Sequence, residues 1–211
     1  MMDTLNQKTK ICYINKSANK DLPEVFIFAK NSIPNFDLFK DGIAWKVLKN
    51  IGRGSRSTFY YDTSQYAVQA SWENTVNSTA QVPAKLGCNY QVALDTTGIV
   101  LKSNGEASDT NTIEITNNIE VTNGISAQFC NNGKVLLQKD EIGYDQVAIF
   151  KPSQTIYFGL ASEIIEGNGL DSGIINSTNF FELNLTGLTN VVISLNGKPK
   201  TGYYFQLEQG Y

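Results

Sequence analysis

The sequence predicts an all-β protein made of two tandem antiparallel β-sandwich domains, residues 1–106 and 107–211, the second an internal copy of the first. Three observations predict it. Apolar and polar residues alternate with a period of two along the whole chain, broken by Gly, Asn, Pro and Asp; this is the signature of half-buried strands separated by turns. Asn-Gly dipeptides occur at 104–105, 123–124, 132–133, 168–169 and 196–197, and this pair suits the two-residue hairpin turn that needs positive φ at both central positions. Laid on itself with a shift of 91, the chain matches Ile51-Gly52 with Ile142-Gly143, Phe59 with Phe150, Tyr66 with Tyr157, Ala70-Ser71 with Ala161-Ser162, Asn77 with Asn168, Leu94 with Leu185 and Val100 with Val191. Self-similarity at a fixed period marks a repeated architecture. One intertwined sandwich is the alternative arrangement.

The strands follow in order. The first copy places them near 10–15, 24–30, 44–50, 56–61, 65–73, 88–95 and 98–103, and the second near 112–117, 125–130, 134–139, 145–150, 154–162, 180–186, 190–195 and 202–208. Such a succession of short strands with turn signals between them fits a sandwich. Upstream of the matched block the offset grows: Ile11 and Asn15 match Ile113 and Asn117, and Phe28 and Asn31 match Phe129 and Asn132. The first copy therefore carries an insertion between Asn31 and Ile51. Within strands, alternation puts Trp45 in the core, sets Phe59 and Tyr61 on one face and turns Tyr60 to the other. The last segment, Tyr203 to Glu208, reads as a half-buried strand that completes the second sandwich or pairs with the edge of another subunit.

Composition excludes more chemistry than it assigns. The 211 residues contain no histidine, which removes imidazole acid–base catalysis, His-based triads and most zinc, copper and iron sites. Cys12, Cys88 and Cys130 are dispersed and odd in number, so buried free thiols are expected. No phosphate loop or dinucleotide fingerprint is present, and no cofactor is expected. A net charge of −3 with 18% charged residues argues against nucleic acid as a partner. No apolar run reaches the length of a secretion signal or a membrane span, so the expectation is synthesis in the cytoplasm, with any release occurring without a signal peptide. The sequons at Asn15, Asn77, Asn176 and Asn184 carry little weight in a chain so rich in Asn, Ser and Thr.

Two stretches are candidates for binding. The insertion from Ser32 to Gly42 sets Phe36 and Phe39 among turn formers, as a small loop cluster or as an exposed apolar tip for a partner or a lipid layer. Beside it, Arg53 and Arg56 flank a Gly-Ser turn near the outward Tyr60, and guanidinium groups pair well with phosphate or carboxylate oxygens. The equivalent turn of the second copy, from Gly143 to Val147, has no positive charge. A carboxylate glycosidase built on Glu163, Glu166 or Asp171 is the remaining enzymatic reading.

The run from Ala44 to Ser55, AWKVLKNIGRGS, followed by aromatics, resembles a motif of small microbial β-rich proteins without an assigned function. A looser likeness of class links the chain to the aegerolysins, β-sandwich cytolysins that bind lipid, although no motif of theirs matches residue for residue. These observations together lead to the expectation of a non-enzymatic, toxin-like binding protein. It would recognise lipid headgroups or glycan through Phe36, Phe39, Arg53, Arg56 and Tyr60. A self-assembling subunit of a filament, shell or injection particle is the alternative.

Overall fold

The computed structural model describes residues 8–18, 23–176 and 179–210; the amino-terminal segment before Lys8 and most of the Asn176 sequon lie outside the described residues. The protein is all-β, 55% strand and 4% helix. In chain order its elements are β1 (Lys8–Asn15), β2 (Glu24–Ala29), α1 (Leu38–Asp41), β3 (Lys46–Leu48), β4 (Arg56–Asp62), β5 (Tyr66–Trp72), β6 (Asn77–Ser78), β7 (Val82–Pro83), β8 (Cys88–Asp95), β9 (Gly98–Glu106), β10 (Ile113–Asn117), β11 (Ile125–Asn131), β12 (Lys134–Ile142), β13 (Val147–Phe150), β14 (Thr155–Ala161), β15 (Phe181–Asn184), β16 (Asn190–Lys198) and β17 (Gly202–Gly210). Every strand expected from alternation is present. The two-residue strands β6 and β7 and the single turn of helix are additions.

The strands form four sheets in two compact units. One unit draws on Met1–Phe28, Ala44–Ser64 and Gln154–Tyr211, the other on Ala29–Ile43 and Gln65–Ser153. The expected division into 1–106 and 107–211 therefore does not describe the compact units, because each takes strands from both halves of the chain. The physical reason lies in two parallel pairings, which no hairpin can make. In the first unit β1 runs parallel to β16, with Ile11 opposite Val191, and antiparallel to β4, with Ile11 opposite Phe59. In the second unit β10 runs parallel to β8, with Ile113 opposite Cys88, and antiparallel to β13, with Ile113 opposite Phe150. Each first strand thus recruits its parallel neighbour from the other half. The sheet orders are β17-β16-β1-β4 and β15-β14-β2-β3 in the first unit, and β13-β10-β8-β9 and β12-β11-β5-β6 in the second.

The pairing scheme shows which sequence identities occupy corresponding places. Ile11 faces Phe59 as Ile113 faces Phe150. Asn15 and Asn117, both buried, make the same bridge. Asn15 Nδ2 donates to Ile51 O at 2.7 Å, and its Oδ1 accepts from the Ser17 amide. Asn117 Nδ2 donates to Ile142 O at 2.9 Å, and its Oδ1 accepts from the Ile119 amide. The matches of Leu94 with Leu185 and Val100 with Val191 do not correspond in this way. Val191 stands opposite Ile11, a place taken in the second unit by Cys88.

Rings join the two sheets of each unit. In the first unit Trp45 meets Phe59 and Tyr61 edge-on at 6.1 and 5.6 Å, and Phe158 meets Phe205 at 5.7 Å. In the second, Phe129 stacks on Phe150 at 6.1 Å. Such pairs add about 0.5–1.5 kcal/mol each beyond the burial of their area. Trp45, Phe59 and Tyr61 are core residues as alternation requires, and Tyr60 is exposed. All three cysteines are free; Cys130 is buried, while Cys12 and Cys88 are half-buried.

Candidate cationic site

At one end of the sheet β17-β16-β1-β4, three segments of the first unit are stitched together by backbone hydrogen bonds. The residues after β1 are held by the Lys16 amide donating to Leu195 O at 2.8 Å and the Ala18 amide donating to Gly197 O at 2.9 Å. The turn before β4 is held by the Gly54 amide donating to Asn15 O at 2.7 Å and the Asn15 amide donating to Ser55 O at 3.1 Å. The turn from β16 to β17 closes with Thr201 N–H donating to Lys198 O at 3.0 Å. Gly197 is required in this connection: its φ is +98°, and a Cβ there would lie 2.1 Å from Gly202 O.

This stitching gathers five basic side chains, Lys16, Arg53, Arg56, Lys198 and Lys200, all exposed. Among the described residues one carboxylate is bound to them. Glu208 accepts from Lys16 Nζ at 2.8 Å and from Ser194 Oγ at 2.5 Å, and these two partners hold its carboxyl below the ordinary carboxylate range. Among the described residues no ion pair engages Arg53, Arg56, Lys198 or Lys200. A chain of net charge −3 thus concentrates unpaired positive charge on one sheet end. Fields of this kind attract anionic partners over roughly a Debye length.

The structure keeps some of the expected site residues together and separates others. Arg53 and Arg56 belong to this end. Tyr60 lies on the same strand face as Arg56 but four residues further on, about 13 Å away at strand rise. Its ring, 45% exposed, is covered by Lys8 Nζ at 4.7 Å from the centroid. Phe36 and Phe39 belong to the other compact unit. Phe39 is exposed on α1 and Phe36 is half-buried. The helix exists because Asp37 caps it, accepting from the amides of Phe39 and Lys40 at 2.9 and 3.3 Å, and because buried Asp41 meets Lys139 Nζ at 3.4 Å.

Two of the three acids expected of a glycosidase serve as loop ties. Glu166 accepts from the Val47 amide at 3.1 Å, with Lys46 Nζ at 3.8 Å, and Asp171 accepts from the Gly173 amide at 2.7 Å. Glu163 is exposed. Among the described residues no group of three or more His, Cys, Asp and Glu is placed to hold a metal ion.

Sequence reading missed Lys16, Lys198 and Lys200. Lys16 precedes Arg53 by 37 residues and is joined to the arginine turn by the antiparallel pairing of β1 with β4, while Lys198 follows Arg56 by 142 residues and reaches this end through the parallel pairing of β1 with β16. The Lys198-Pro-Lys200 tripeptide was the one local signal. Comparison of the chain with protein-family models, with curated proteins and with solved structures finds no match.

Proposed function

We propose that this chain is a non-enzymatic binding protein that docks on anionic lipid surfaces through the cationic end of its first unit. The observation that carries the reading is the set of unpaired cations, Arg53, Arg56, Lys198 and Lys200, at one sheet end of an acidic protein. Spread over two segments, these side chains suit a plane of phosphate-bearing headgroups better than one enclosed anion. The guanidinium groups can each grip two phosphate oxygens, and the lysines add point charge. Each basic side chain near such a surface contributes on the order of 1 kcal/mol. Four of them give a binding that is reversible and salt-sensitive.

Sedimentation with vesicles tests it. Wild-type protein is expected to pellet with phosphatidylserine- or phosphatidylglycerol-containing vesicles and to remain free with phosphatidylcholine alone. Arg53→Gln/Arg56→Gln should weaken this by about 30-fold, following the per-charge magnitude above. Inorganic phosphate and duplex DNA in competition separate headgroup recognition from general polyanion binding. Equal pelleting of wild type and the double variant would sink the proposal. Phe39→Ala in the same assay shows whether the exposed ring of α1 contributes apolar anchorage.

A second reading, self-association, is supported by β17, a nine-residue strand at the end of its sheet order. Strands with an open edge can pair with another copy. A monomer by light scattering at every concentration would dismiss it.

A further inference from the structure

The first unit carries a cleft of about 550 Å³ along the side where β15 and β17 end their sheet orders. Its apolar walls include Leu160, Phe181, Tyr203 and Phe205, with the exposed Asn176 and Asn179 at the rim, and among the described residues no charged side chain lines it. The register sets these four apolar side chains on the inner faces of the two sheets. Phe181 stands opposite Phe158, Leu160 follows Phe158 by two residues and Tyr203 precedes Phe205 by two, so each pair shares a face. Phe158 is fully buried and meets Phe181 at 6.3 Å and Phe205 at 5.7 Å, while Phe181 and Phe205 meet each other at 6.1 Å across the sheets. Those two outer rings are only half-buried. The core of this unit therefore runs outward into the cleft.

Two local features leave it open. On one wall β14 runs on past the start of β15: Phe158 pairs with Phe181, the next bridge joins Ala161 to Ile175, and Leu160 lies between them. On the other wall Tyr203 pairs with Gly197, which contributes no side chain. At one end the cleft reaches Gly202, the ladder partner of Lys198, and directly opposed Cα atoms of this kind lie about 5 Å apart. Alternation turns Lys198 to the outer face with Asn196, whereas Lys200 belongs to the turn and is held to neither face. Both lysines are exposed, and among the described residues neither is engaged in an ion pair.

We infer that this cleft binds the alkyl chain of a single-chain anionic amphiphile, a fatty acid or a lysophospholipid, with the charged head at the turn that bears Lys198 and Lys200. Apolar walls beside unpaired cations are complementary to a molecule that is apolar at one end and negative at the other. Small-molecule sites of this size are mostly apolar, with a few polar groups that fix orientation. The chain displaces water from Leu160, Phe181, Tyr203 and Phe205, and each methylene buried strengthens binding roughly fourfold. The carboxylate or phosphate oxygens of the head accept from the lysine ammonium groups. The placing of the head rests on the cationic end proposed above; the burial of the chain does not.

The test is calorimetric titration of the full chain with laurate and with lauroyl-lysophosphatidylglycerol, each below its micellar concentration, so that carboxylate and phosphate heads are compared. Decanoate and octanoate supply shorter chains, and monolauroylglycerol supplies a neutral head. Binding is expected to weaken roughly fourfold for each methylene removed and about fivefold for the neutral head, the effect of one nearby cation. Tyr203→Ala should weaken laurate binding about tenfold through lost apolar contact, and Lys198→Gln/Lys200→Gln should abolish the preference for laurate over monolauroylglycerol. Near-ultraviolet circular dichroism checks the fold; should Tyr203→Ala fail that check, the chain-length series and the lysine variant decide. The inference is overturned if neither anionic amphiphile binds, if affinity does not change with chain length, if the neutral head binds as tightly, or if the folded variants bind as wild type does. No vesicle enters this titration, so loss of vesicle docking with laurate binding intact would sink only the lipid-surface reading, and the reverse result would sink only chain binding in the cleft.

Discussion

The two buried asparagines show most directly how single residues hold this protein together. Asn15 and Asn117 each end a first strand, and each spends its side chain on the carbonyl of the isoleucine before a turn and on an amide two residues ahead. The backbone repeats the arrangement. Gly54 N–H donates to Asn15 O and Asp145 N–H to Asn117 O, both at 2.7 Å. Leaving a buried carbonyl and a buried amide without partners costs about 1–3 kcal/mol for each group. Asn117→Ala should therefore lower the free energy of unfolding by about 2–4 kcal/mol, read from the urea midpoint at unchanged m-value, while Asn117→Asp should cost at least as much because its carboxylate cannot donate to Ile142 O. A loss below about 0.5 kcal/mol would mean that the bridge carries no weight. These residues were visible in the sequence as an isolated match. Their role was not, because the partner carbonyls belong to the backbone and leave no trace in residue identity.

Individual elements were largely legible. Alternation located every strand of more than two residues, since period two is imposed by the pleat itself. Asn132-Gly133, both at positive φ, make the two-residue turn between β11 and β12. Asn104-Gly105 and Asn196-Gly197 instead lie inside β9 and β16, so the dipeptide marked a left-handed residue without marking a strand end. The helix α1 escaped because four residues carry no periodicity, and Asp37 among Asn, Pro and Phe reads as a turn. The cationic end was half legible: Arg53 and Arg56 share a turn, but Lys16 reaches them through the pairing of β1 with β4, and Lys198 and Lys200 only through the parallel pairing of β1 with β16. One position in β14 leaves no room for a side chain. A Cβ on Gly159 would fall 2.4 Å from Phe26 Cζ, and Phe26 is itself fully buried beside Phe28 and Phe180. Gly159→Ala should destabilise by about 1–3 kcal/mol, the usual magnitude of overpacking, and Gly159→Ala/Phe26→Leu should recover part of that loss in thermal melts. Full tolerance of the alanine would show that Phe26 has room to move.

At the scale of the molecule, the exchange of strands between halves governs how the chain holds together. Each compact unit contains a parallel seam, β1 with β16 or β10 with β8, whose two strands come from opposite halves. The two seams share one pairing scheme, in which Asn15 and Asn117, Ile51 and Ile142, and Phe59 and Phe150 occupy corresponding positions. A protease site inserted between Asp109 and Thr110 offers a test. After cleavage the two fragments should co-elute at the position of the intact 23.3 kDa chain in native buffer and separate only in denaturant. Fragments that part without denaturant would contradict the interleaved arrangement.

The path of the backbone passes from one unit to the other at residues 28–29, 43–44, 64–65 and 153–154. No single breakpoint in the coding sequence therefore excises either unit whole. Point changes and loop insertions can alter the cationic end of the first unit, but exchange of one contiguous stretch of the gene cannot trade that unit for another, because its three stretches are interleaved with those of the second.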